Sequence, residues 1–344
     1  MAAHPSETDT QTHPANRIGT SPPRTRAWLH GKVEAEGFPV AEVSDWLERP
    51  DTVVWLDLCS PRTEDLRVIG EELSLDPVAV EDAVSRHERA KLDRYDGYAF
   101  LNAYVPEMTE GELTLHEISA FVTPRALVTV RQNHGIDVDE LLRRWDESPD
   151  GDVAEGGPGY LLYELLDMVV DLQMEGVQAL DDEADAVEEL VFDDKFPVRQ
   201  IQERSFRLRK NLVALRRVAL PMREVVNTLL RRDLRIVSPA MAPYFQDVYD
   251  HTLRVGEWTD GLRDLVANLL DTRLALQGNK MNEVMKKVTS WAAIIAVPTA
   301  VTGFYGQNVP YPGAQHHAGF IVSTALIVVC SVALYVIFKL RDWL

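Results

Sequence analysis

The chain of 344 residues carries 54 acidic against 35 basic residues, a formal net charge of −19, and is 46% hydrophobic. So acidic a balance argues against nucleic acid as a partner, which needs a basic face. Two cysteines, Cys59 and Cys330, are too few for a disulfide framework, and the length exceeds one ordinary domain, so two or more parts are expected.

Residues 1–26, rich in Pro, Thr, Ser and His, read as a disordered tail with no apolar segment. Residues 27–29 and 52–58 read as strands, with a helix over 41–48 between them. Ser60 is placed to cap a helix reaching about residue 73, with Pro61 in its first turn and Glu64 and Asp65 favouring its N-terminal dipole. Asp76-Pro77 opens another helix, to about residue 86. Strands follow at 90–92, 98–105, 113–122 and 126–131, then a helix at 137–147. This order implies an α+β domain with α/β/α layering over 27–150. The Gly- and Pro-rich stretch 148–159 is expected to be a flexible boundary.

From Tyr160 onward the periodicity is helical: 160–192, a turn at 193–197, then 198–234. A third run starts near Tyr244 and meets no proline before Pro298. Continuous to Tyr305 it would have about 60 residues and a length on the order of 90 Å, although Gly256, Gly261 and Gly278 each weaken it by roughly 1 kcal/mol. Residues 151–287 thus form a predicted helical stalk. The acids Asp181, Asp182, Glu183, Asp185, Glu188 and Glu189 lie on one helix. The bases Arg204, Arg207, Arg209, Lys210, Arg216 and Arg217 lie on the next, so the two helices can pair by charge.

Two uncharged runs, 288–305 and 320–338, match the ~20 residues of a membrane-spanning helix. Lys280, Lys286 and Lys287 precede the first; Lys339 and Arg341 follow the second, near Trp343. The loop 306–319 between them has neither Lys nor Arg. The positive-inside rule then puts both termini, including 339–344, in the cytoplasm of an inner or plasma membrane. Insertion would rest on this C-terminal hairpin. Two helices cannot enclose a pore, so conduction would need several copies around an axis. On the first span Asn282, Met285, Thr289, Ala292, Ala296, Thr299 and Gly303 recur at helical spacing and form a small, mildly polar stripe. Such a stripe suits close helix packing and pore lining alike.

Here the residues carry a resemblance. Residues 282–289, the proline of the span, the closing Tyr305-Gly306-Gln307-Asn308, a second span and the ending 339–344 are similar to the CorA family of divalent-cation channels. That family's signature is Tyr-Gly-Met-Asn; Gln307 stands in the place of Met. Residues 55–58, 77–82, 87–91, 210–212 and 244–251 also resemble its soluble-domain patterns, so the likeness covers about 27–344. It implies a homopentamer whose first spans line the pore, with Asn282, Met285, Thr289, Ala296 and Thr299 below a filter of Tyr305, Gly306, Gln307 and Asn308. Mg²⁺ dehydrates reluctantly, so oxygen dipoles of the filter would recognise the hydrated ion; Gly306 and Asn308 are also ordinary turn residues.

The resemblance further implies a regulatory Mg²⁺ site between subunits at Asp82 and Asp247, and a second at Glu81 and Asp167. Bound ions would hold a closed funnel, and low cytoplasmic Mg²⁺ would open it. The loop departs from the family, since 309–317 holds no acid; His316 and His317 could touch a softer ion or simply be solvated. The expected activity is transport of Mg²⁺, with Co²⁺ or Ni²⁺, into the cell through the bilayer. The rivals are a ZntB-like zinc transporter, possibly coupled to protons, and a non-conducting, membrane-anchored metal sensor. No nucleotide loop, nucleophile elbow or metalloprotease motif is present, so neither enzyme activity nor an organic cofactor is expected.

Overall fold

The computed structural model describes residues 21–85, 87, 89–147, 150–193, 196–231, 236–307 and 316–344, and of 150–152 the backbone alone. Most of the predicted tail therefore lies outside the described residues. The chain forms two compact units, residues 1–267 and 268–344.

The first unit is built on seven strands: β1 (Arg24–Leu29), β2 (Lys32–Glu36), β3 (Thr52–Cys59), β4 (Lys91–Tyr95), β5 (Tyr98–Thr109), β6 (Glu112–Val122) and β7 (Ala126–Arg131). They pair in the order β2-β1-β3-β7-β6-β5-β4, with β3 and β7 parallel and every other pair antiparallel. Strand β2 has no counterpart among the predicted strands. It is an edge strand whose side chains are nearly all exposed, so no buried face imposes an alternating pattern on Lys32–Glu36.

Alternation decides the layers. Val54, Leu56 and Leu58 of β3, with Phe100, Phe121, Val128 and Val130, bury one sheet face. Against it lie α1 (Val43–Glu48), α2 (Thr63–Glu72) and α3 (Pro77–Asp82), through Val43, Leu66, Ile69 and Ala79. On the opposite face Trp55 meets Trp145 of α4 (Val138–Glu147) edge-on at 5.1 Å. Gln173 of α6 (Pro158–Phe192) donates to the Tyr104 carbonyl at 2.8 Å. These two faces complete the α/β/α layering. Asp57 and Arg131, both buried, are paired at 2.9 Å, and Thr129 donates to Asp57.

Three local expectations differ. Ser60 does not cap α2: its hydroxyl donates to the Gln132 carbonyl, and Asp65 reaches back to the Arg62 amide instead. Helix α3 stops at Asp82, because the chain turns to deliver His87 to Glu117 at 2.7 Å. The expected flexible boundary holds a short helix, α5 (Asp150–Gly156), anchored by buried Val153 and ended by Gly157 at φ +57°.

Helix α6 pairs with α7 (Val198–Leu229), and Arg204 reaches Glu183 at 3.6 Å, one contact of the predicted charge match. Helix α8 runs Ala242–Tyr305 without interruption, through all three glycines; within the first unit it buries Phe245, Val248, Val255, Leu262 and Val266. The second unit holds the rest of α8 and α9 (His317–Leu340). Both helices are long and apolar enough to cross a membrane.

Candidate functional site: an exposed stripe and an acidic cluster

The second unit inverts the usual burial rule. Phe320 is 73% exposed, Ile295 62% and Val329 66%, and among its described span residues only Ser290 and Gly319 are buried. An apolar surface this continuous marks a membrane or a partner. Within one chain, the side of the first span that is partly covered runs through Ser290, Ala293, Ile294, Val297, Pro298, Val301 and Tyr305. Asn282, Met285, Thr289, Ala292, Ala296, Thr299 and Gly303 lie on another side and are all exposed. The small, polar stripe is therefore not used for packing inside the chain.

Near its far end, Thr299 of the stripe and the neighbouring Thr302 offer acceptor oxygens. Thr299 donates its hydroxyl proton to the Ile295 carbonyl at 3.0 Å, and Thr302 donates to the Pro298 carbonyl at 2.8 Å. Each oxygen keeps lone pairs free to accept from water, as a hydrated cation requires. A cleft lined by Asn279, Asn282, Met285 and Thr289 is bordered by Trp343 from the chain's end. At the C-terminal end of α8 the Gly306 amide bonds the Thr302 carbonyl at 2.8 Å, and a Cβ there would stand 3.0 Å from that oxygen. The tight helix ending thus favours glycine. Tyr305 packs edge-on to Phe304, and Gln307 is exposed. Asn308 lies outside the described residues, as does the loop through 315; His316 and His317 are both exposed.

In the first unit the predicted regulatory acids sit in different settings. Glu81 and Asp247 are exposed, on α3 and α8. Asp82 is half-buried and holds the Lys91 ammonium at 2.9 Å, which also meets Asp93 at 2.9 Å. His87 Nε2 lies 4.0 Å from Asp82.

Asp167 belongs to a set that sequence reasoning did not assemble. Ligand atoms of Asp167, Asp171 and His251 lie within 4.8 Å of one another, the one such trio among the described residues. Burial, the nearby Asp171 charge and Glu164 push the Asp167 carboxyl up to about 6, despite the opposing charges of Arg144 and His251. Tyr163 is raised by burial and by Asp167, Glu164 and Asp247, so both predicted acids act on one phenol. Asp167 and Asp171 stand one turn apart on α6, and Asp247 and His251 one turn apart on α8. That i, i+4 spacing on each helix is the one sequence signal that could have been followed, and it does not say that the two helices meet.

Fold and site together define a membrane-anchored protein: a large acidic soluble unit, one long helix and two apolar spans with a polar stripe. Comparison with known proteins narrows this class. The profile of CorA-like Mg²⁺ transporter proteins matches residues 50–340, and the chain belongs to that family. Its members are transporters of divalent cations rather than enzymes. Over 317 residues the chain is 32% identical to the cobalt/magnesium transport protein CorA of Thermotoga maritima, covering 90% of each. Over 323 residues it is 24% identical to the zinc transport protein ZntB of Yersinia enterocolitica, covering 91% of each. The CorA magnesium transporter structure from Methanocaldococcus jannaschii superposes with a TM-score of 0.77 at 23% identity, over 95% of this chain and all of that one.

Proposed function

We propose that copies of the chain, five in the simplest arrangement, surround an axis and conduct hydrated Mg²⁺, with Co²⁺ or Ni²⁺ as further cargo, into the cytoplasm. The observation that carries this reading is the exposed stripe from Asn282 to Gly303. Within one chain its residues stay exposed, and the Thr299 hydroxyl oxygen is free to accept from a hydrated cation. Tyr305, Gly306, Gln307 and Asn308 form the outer filter, and Asn282, Met285, Thr289, Ala296 and Thr299 line the path below it. Both termini lie in the cytoplasm, as the flanking lysines and arginines require.

Cytoplasmic Mg²⁺ closes the pore by bridging Asp82 and Asp247 between subunits, with Glu81 and Asp167 as a second site. The physics is charge neutralisation: carboxylates gathered at the surface repel, and a divalent ion that bridges them holds one arrangement. The raised Asp167 carboxyl supports this: burial first, and then the neighbouring Asp171 charge, make its ionised form costly, a cost that a bound cation would relieve.

A zinc transporter is the second reading. It is favoured by Gln307 in place of methionine, the acid-free loop and the likeness to a ZntB protein. Proteoliposome uptake separates the possibilities, with Mg²⁺, Co²⁺ and Zn²⁺ tested singly and Asn308→Ala as control. Voltage-driven Mg²⁺ entry that the substitution abolishes is the expected result. Zn²⁺ entry that follows a pH gradient, with Mg²⁺ excluded, would move the chain to the zinc reading. Absence of any flux would leave a membrane-anchored sensor.

A further inference from the structure

Three acids converge on one guanidinium beside the Asp167 trio. Arg144 Nη1 lies 3.2 Å from Asp167, Nη2 3.0 Å from Asp171, and Nε 3.3 Å from Glu140. Two of these acids are the carboxylates that share the trio with His251. A guanidinium that bridges Asp167 and Asp171 holds one oxygen of each and sets its positive charge where a divalent ion would sit. The three groups come from three helices: Arg144 from α4, the acids from α6 and the imidazole from α8.

We propose that Arg144 is a tethered cation which a divalent ion must displace, so that this side chain sets the concentration at which the cytoplasmic site fills. The inference rests on the reading of Asp167 as a cation-sensing residue. Neither guanidinium nor divalent ion tolerates the other within a few ångströms, so binding is an exchange. The displaced side chain has somewhere to go. A cleft of about 670 Å³ opens beside Arg144 and is lined by Asp137, Glu140, Asp171 and Glu175. There the guanidinium keeps acidic partners while the ion takes Asp167, Asp171 and His251.

Exchange rather than simple binding has two consequences. A guanidinium stays charged at every physiological pH, so its competition does not fade as pH rises, as a histidine's would. And the ion moves Arg144 against α4, a ten-residue helix otherwise held by Val138, Leu141 and Trp145. Filling the site is thereby felt by a second helix. Two carboxylates and one imidazole take small divalent ions, with the nitrogen favouring Co²⁺ or Ni²⁺ over Mg²⁺.

Co²⁺ binding to the full chain in nanodiscs tests this, by calorimetry together with the visible absorption of Co²⁺ bound to imidazole. Arg144→Gln should tighten the imidazole-linked site about tenfold, and Arg144→Lys by a smaller factor, because a lysine loses the fork but keeps the charge. Asp167→Asn and His251→Gln should remove that absorption. Unchanged or weaker binding in Arg144→Lys, and in Arg144→Gln where circular dichroism shows it folded, overturns the exchange. The sensor reading then still stands if Asp82→Asn abolishes Mg²⁺-dependent closure. No imidazole-linked binding in the unsubstituted protein overturns the exchange and the Asp167 sensor together.

Discussion

The two units obey opposite rules for the same residue types. In the first, Phe100 and Phe121 are wholly buried and meet ring to ring at 4.8 Å, while Asp57 and Arg131 satisfy each other inside the protein. In the second, phenylalanine and isoleucine stand outermost, and the hydroxyls of Thr299 and Thr302 turn back onto their own helix. The difference is one of solvent. Water makes the soluble unit hide apolar surface, whereas a bilayer makes the spans hide backbone polarity and leaves apolar side chains where they are.

The largest expected effects break the first half of this contrast. Phe121→Ala should cost about 3–5 kcal/mol of soluble-unit stability, read as the denaturant midpoint by circular dichroism. Asp57→Ala should cost a similar amount, about 3–5 kcal/mol, because it strands a buried guanidinium. Phe320→Ala, by contrast, should leave that midpoint within about 0.5 kcal/mol. Equal losses from Phe121 and Phe320 would erase the distinction between the units.

A smaller effect of opposite sign is expected at Asp167. Its carboxyl is raised to about 6 from an ordinary value of 3.8. The stability linked to it is therefore fully present below about 3.8 and is lost as pH rises through about 6. At pH 7.5, without divalent ions, Asp167→Asn should stabilise the soluble unit by roughly 1–2 kcal/mol, and the gain should vanish near pH 4. A gain that persisted at pH 4 would mean that charge is not its cause.

The smallest stability change should accompany Thr299→Val. Its hydroxyl serves only its own helix, so unfolding should shift by less than about 0.5 kcal/mol. Divalent uptake by proteoliposomes should nevertheless fall several-fold, since the path loses one acceptor oxygen per chain. Full flux in this variant would remove the stripe from the conduction path.

Much of this was legible in the order of residues. Strand β7 has the bounds that its β-branched run predicts, and α8 ends at Tyr305 as its pattern requires. Periodicity and the absence of charge are local properties, and local properties determine helices, strands and spans. The resemblance carried by Tyr305, Gly306 and Asn308, in the context of residues 282–289, a second span and the soluble-domain segments, likewise needed only the order of residues, and it led to the family.

Other features needed the folded chain. Lys32–Glu36 became a strand because the neighbouring edge was free to pair, which no pattern in those five residues announces. Ser60 lost its capping role to a carbonyl 72 residues away. The stripe could be separated from the partly covered side of its helix only in the folded chain, where the two differ in exposure. Above all, the sequence by itself determined that Asp167, Asp171 and His251 would lie on helices, but not that they would meet. Their ligand atoms converge, around Arg144, because α4, α6 and α8 pack together, and the distance between helices is settled by side chains far from these acids.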